Sequence, residues 1–135
     1  MYLYYRAIGI IQDIWYNLRG RCQRFKRGYA YGDVWDMDHW FMRTVRLMLI
    51  HLRTYGDSFP MEFEDRDAWC AVLDKMINCL DFMDEDKVYA FLGFVEIKDY
   101  QRMTSDDLRQ VREIMAENKT LFFELFSKHF YDLWD

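Results

Sequence analysis

A single proline, Pro60, and only six glycines interrupt 135 residues, which leaves little material for tight turns. Combined with 52% hydrophobic and 19% aromatic residues, that scarcity excludes a disordered chain and opposes an all-β sandwich, whose many turns need both residue types. Serine is nearly absent: Ser58, Ser105 and Ser127 are the only three, none in a glycine-flanked elbow, so serine-based hydrolysis has no scaffold. Glycine-rich phosphate loops are missing as well. The three cysteines, Cys22, Cys70 and Cys79, form no Cys-x-x-Cys pair and leave one over, as expected of reduced thiols in a cytoplasm. On a shared helix, Cys70 and Cys79 would lie about 180° apart and out of bridging reach. Apolar runs last only a few residues, far short of the ~20 needed to span a membrane. The segment from Met1 to Arg6 carries no basic region ahead of an apolar core and no cleavage site, so a soluble intracellular protein is expected.

What is present is helical periodicity. The length suits one domain with a real core, taken as 1–135. Tyr4, Ile8, Ile11, Trp15, Leu18, Cys22 and Phe25 recur in steps of three and four, predicting a first helix from Tyr2 to about Arg27. A second helix is expected over 33–55. Val34, Met37, Phe41, Val45, Met48, Leu52 and Tyr55 form its stripe, flanked by Trp35, Met42, Leu49, Trp40 and Leu47, so it should be packed from more than one direction. Asp33 would cap its start, Asp36 would complete an acidic capping box, and a left-handed Gly56 would end it. After the Gly56–Pro60 loop, a third helix beginning near Asp65 should bury Trp69, Val72, Leu73, Met76, Leu80 and Met83. Residues 87–97 fit either a short helix ending at Gly93 or a hairpin turning there, with the helix favoured. Thr104 to Asp107 offer caps for a last helix striped by Leu108, Val111, Met115, Phe122, Phe126 and Phe130. The expected fold is therefore all-α, a compact bundle of four or five helices around the helix at 33–55.

Functional residues are scarce. The formal charge of −5 argues against a nucleic-acid binder that works by neutralising phosphates, although an acidic protein can carry a basic face. Arg19, Arg21, Arg24, Lys26 and Arg27 crowd the end of the first helix, where the macrodipole favours cations. The same cluster, with Tyr29 and Tyr31, also suits contact with an acidic partner or with phosphates. Asp36 and His39, spaced i, i+3, offer two ligands to a divalent cation, which do not make a site; helix-start acids have a structural role first. His39 and His51, twelve residues apart, lie about 18 Å apart along one helix and cannot share a metal. Asp38 falls among Phe41, Met42, Val45 and Leu49, so it is expected to be buried and paired, with an arginine of the 19–27 segment or a tyrosine hydroxyl. Asp33, Asp36 and Asp38 are thus assigned structural roles, and no catalytic residue, cofactor or metal is assigned.

Two stretches carry a resemblance. Lys26-Arg27-Gly28-Tyr29 followed by Asp33-Val34-Trp35 and Asp38, then Leu52 and Pro60, and the terminal Leu125-Phe126-Ser127-Lys128-His129-Phe130-Tyr131-Asp132-Leu133-Trp134-Asp135, resemble the two ends of a set of short proteins encoded by tailed bacteriophages. The chain departs from that pattern at Ala30 and Gly32. The resemblance implies a phage origin, placing the protein in the host bacterial cytoplasm or the virion, and brings no catalytic residues with it. The function expected is non-enzymatic binding of a protein partner, plausibly inhibition of a host defence system such as a CRISPR nuclease. The alternatives are a virion structural or assembly protein, a homo-oligomer among them, and a nucleic-acid-binding module using the basic end of the first helix. No membrane partner is expected.

Overall fold

The computed structural model describes residues 2–134, with side chains described for 14–96 and 99–134. The chain is all-α: α1 (Tyr2–Arg27), α2 (Tyr31–Trp35), α3 (Met37–Tyr55), α4 (Arg66–Phe82), α5 (Glu85–Phe91), α6 (Ile97–Tyr100), α7 (Ser105–Lys128) and a closing 3-10 turn (Phe130–Asp132). No strand occurs among the described residues. Four of the helices are long; α2 and α6 are about one turn each. No helix among the described residues is long and apolar enough to cross a membrane. The chain divides into two compact units, Met1–Trp40 and Phe41–Asp135. They differ in charge: residues 1–40 hold six Lys/Arg and four Asp/Glu, the remainder twelve and nineteen.

In the first unit, α1 has the predicted bounds, although Tyr4, Ile8 and Ile11 lie outside the described side chains. The single helix expected over 33–55 is instead two. Asp36, with φ −116° and ψ 51°, leaves helical geometry between α2 and α3, so it marks a break and does not complete a capping box. Asp33 is likewise not an N-cap. It occupies the third position of α2 and its carboxylate reaches back to the Ala30 N–H at 2.7 Å.

In the second unit the most buried helix is α4, which corrects the central place expected for 33–55. Trp69, Leu73, Met76 and Leu80 recur at helical spacing with Cys79 between them, and all are almost fully enclosed. Leu49 of α3 and Phe122 of α7 complete this cluster, with Phe41, Val45, Phe63 and Phe126 packed around it. Burying a side chain of this size contributes about 1.5–3 kcal/mol. Phe41 meets Phe122 and Phe126 edge-on, with centroids 6.2 and 6.3 Å apart. By contrast α3 buries only Leu49 fully and leaves Leu47, Met48 and Tyr55 more than half exposed. One packed stripe was enough to fix it.

The ends of these helices are set by local chemistry. Asp65 caps α4 by accepting the Ala68 N–H at 2.8 Å, and Thr104 and Asp107 form a reciprocal capping box at the start of α7. Residues 87–97 are helical at their start, not a hairpin. Gly93 (φ 91°) ends α5 in a left-handed cap, with Phe94 N–H on the Tyr89 carbonyl and Gly93 N–H on that of Ala90. Gly56 is not left-handed; the free carbonyls at the end of α3 are met by the Arg66 guanidinium, which donates to Gly56 and Arg53 at 2.8 and 3.1 Å. Two forked arginine pairs tie α3 to α4: Arg46 to Asp81 at 2.8 and 3.0 Å, and Arg53 to Asp74 at 2.8 and 3.1 Å. Cys70 and Cys79 are buried free thiols, and burial pushes the Cys79 thiol up.

Candidate functional site

The basic end of α1 folds over a buried carboxylate. Asp33 is 8% exposed and receives both Nε and Nη2 of Arg24, at 2.9 and 2.6 Å, besides the Ala30 N–H. This forked hydrogen bond raises the Arg24 pKa above its ordinary value, outweighing desolvation. Gly28, in the left-handed region at φ 79°, reverses the chain after α1. Gln23 then accepts the Tyr31 N–H at 3.0 Å, satisfying a free donor at the start of α2. The start of α2 is therefore tied to α1 through Arg24 and Gln23, which holds the connection from Gly28 to Ala30 in place, and Ala30 is buried.

That clamp sets out a surface. Arg27 lies over the rings of both Tyr29 and Tyr31, with its guanidinium carbon 5.6 and 4.7 Å from their centroids. The Arg27 hydrogen bond, helped by its charge, holds the Tyr31 hydroxyl below the usual phenol range. Arg19, Arg21, Lys26, Arg27, Tyr29 and Tyr31 are all exposed, and so are Phe25 (93%) and Trp35 (90%). Alongside runs a groove of about 190 Å³ whose lining includes Tyr16, Arg19, Gln23, Tyr31 and Gly32.

Of the residues singled out in the sequence, the structure brings Arg24 and Asp33 together and groups Arg27 with the two tyrosines. Arg24 thus belongs to the framework beneath the face, while the other cations remain on it. Asp38 corrects the expectation of a buried ion pair. Its side chain is 76% exposed, and its neighbour is His39, whose Nδ1 lies 3.4 Å away. Of the apolar residues expected around it, Phe41, Met42 and Val45 pack against the core cluster of the second unit. A hydrogen bond from the His39 backbone, then one from its side chain, holds the Asp38 carboxyl below its ordinary range. The arginine segment does pair with a buried aspartate, but that aspartate is Asp33.

Asp36 and His39 form no convergent ligand set. Among the described residues the one group of three that does is Glu62, His129 and Asp132, which sequence reasoning missed. Its local signal was His129 with Asp132 three residues on, at the end of an apolar stripe; Glu62, 67 residues earlier, left none.

Compared with known proteins, the chain matches no family model, no curated protein and no solved structure.

Proposed function

We propose that this chain is a non-enzymatic binding protein whose basic, aromatic face at the end of α1 docks on an acidic surface of a partner protein. The observation that carries this reading is Arg27 held over Tyr29 and Tyr31 on a loop clamped by the Arg24–Asp33 pair. Arginine and tyrosine are the residues that dominate binding energy at interfaces. A face ordered before contact loses less freedom on binding, which favours affinity. Its cations steer an acidic partner toward it, while the acidic remainder of the chain repels polyanions such as nucleic acid.

The motifs that resemble those of tailed-phage proteins support a phage origin. With that origin goes action in the host bacterial cytoplasm on a host defence protein, of which a CRISPR nuclease is the sharpest case. The test is capture of the tagged chain with its partners from infected host cells at low and high salt, beside protein analysis of purified virions and a gel shift with single- and double-stranded nucleic acid. The expected result is a stoichiometric host protein released by salt. Recovery of the chain in virions at fixed copy number, or a salt-sensitive gel shift without any protein partner, overturns the proposal.

A further inference from the structure

The 3-10 turn after α7 folds the chain back on the end of that helix. His129 N–H bonds the Leu125 carbonyl at 3.0 Å, and the His129 carbonyl accepts the Asp132 N–H, also at 3.0 Å. Asp132 is thereby placed beside the His129 ring, and the loop between α3 and α4 brings Glu62 to the same ring nitrogen. The imidazole is almost wholly buried against Phe63 and Trp69, whose ring centroids lie 5.6 and 5.4 Å away. Its Nδ1 faces both carboxylates, 3.3 Å from Glu62 Oε1 and 3.3 Å from Asp132 Oδ2. All three atoms lie within 4.8 Å of one another.

Hydrogen bonding alone explains this arrangement poorly. A single Nδ1–H shared between the two carboxylates makes at most a bifurcated bond, and both separations, 3.3 Å, exceed the 2.7–2.9 Å of a charge-assisted bond. A tetrahedral ion explains it better. With metal–nitrogen and metal–oxygen bonds of about 2.0–2.2 Å, neighbouring ligands stand about 3.3–3.5 Å apart. Two carboxylates so close to each other repel unless a cation lies between them. Glu62 is 54% exposed and Asp132 32%, so the carboxylate side opens to solvent, while aromatic rings fix the nitrogen ligand from behind.

We propose that Glu62, His129 and Asp132 form a binding site for one divalent first-row transition ion, with water in the remaining position, that fastens the loop at 56–65 to the turn after α7. The nitrogen ligand selects zinc or its neighbours over magnesium and calcium, which take oxygen ligands. Three protein ligands leave the fourth tetrahedral position to water.

The test uses the full chain carrying Cys22→Ser, which removes the one exposed thiol, stripped of metal with a chelator. Zinc is titrated against a chromophoric competitor, cobalt is followed by its visible absorption, and Tm is recorded with and without zinc. The expected result is one tight equivalent, tetrahedral cobalt bands and a raised Tm. Glu62→Gln and Asp132→Asn, each altering a solvent-facing ligand, should weaken binding at least about tenfold while far-UV circular dichroism is retained. Absence of cobalt bands and of a zinc-dependent rise in Tm overturns the site. So does binding of equal strength in both variants, which would assign the ion to scattered surface carboxylates.

Discussion

Replacing Asp33 by alanine removes the acceptor for three donors: Nε and Nη2 of Arg24 and the backbone N–H of Ala30. Breaking a fully buried ion pair on one side costs about 3–5 kcal/mol. Here the Asp33 side chain is 7% exposed but that of Arg24 is 47% exposed, so the guanidinium regains water and the upper part of that range does not apply. The Ala30 N–H lies under a buried residue and recovers less, at about 1 kcal/mol. A total of about 2 kcal/mol is expected. Because the pair lies within Met1–Trp40, the assay must report on that unit, and amide exchange at Ala30 and Tyr31 does so. Exchange there should quicken about 30-fold, with amides of α4 unaffected. Arg24→Ala should do nearly the same, and the double variant should cost less than the sum. Unchanged exchange, or strict additivity, would refute the clamp.

Two further outcomes concern the second unit. Burial alone would raise the Asp81 carboxyl, but hydrogen bonds and charge from Arg46 and Lys87 outweigh it and hold the group below its ordinary 3.8. A depressed folded pKa means stability present above about pH 4 and lost as pH falls through the folded value. Asp81→Asn should therefore cost about 1–2 kcal/mol at pH 7, and the gap in urea midpoint from wild type should narrow by pH 3; a constant gap would contradict the pairing. Gly93→Ala places a Cβ at φ 91° with nothing within 4 Å of it, so backbone strain alone should lower stability by about 1 kcal/mol or more in thermal unfolding; an unchanged Tm would count against the left-handed cap.

Much of the fold was legible because it rests on local signals. Asp65 and Thr104 are caps with free backbone N–H donors in reach, and the stripe from Trp69 to Leu80 keeps one period along one helix. The break at Asp36 was not legible. A helical wheel drawn from Val34 to Tyr55 is equally apolar whether the chain is one helix or two, and Asp33, read as its cap, is instead held by an arginine nine residues earlier. The same pairing misplaced the buried charge: it is Asp33, held by Arg24, while Asp38 is exposed beside His39. Arg27, Tyr29 and Tyr31 were legible as a cluster, though not as rings under one guanidinium. Glu62 and His129 meet because the loop after α3, through Phe63, and the end of α7, through His129, both pack on Trp69.

The central claim is tested most directly by the affinity of the captured partner for wild type and for a chain carrying Arg19→Glu, Arg21→Glu and Lys26→Glu, measured over a range of salt. These three cations are exposed, and Arg24 is left to its framework role. Binding should weaken by at least about tenfold and lose most of its salt dependence, while helicity and Tm stay close to wild type. Equal affinity and an equal salt slope in the two proteins would contradict the claim and remove the basic face from the interaction.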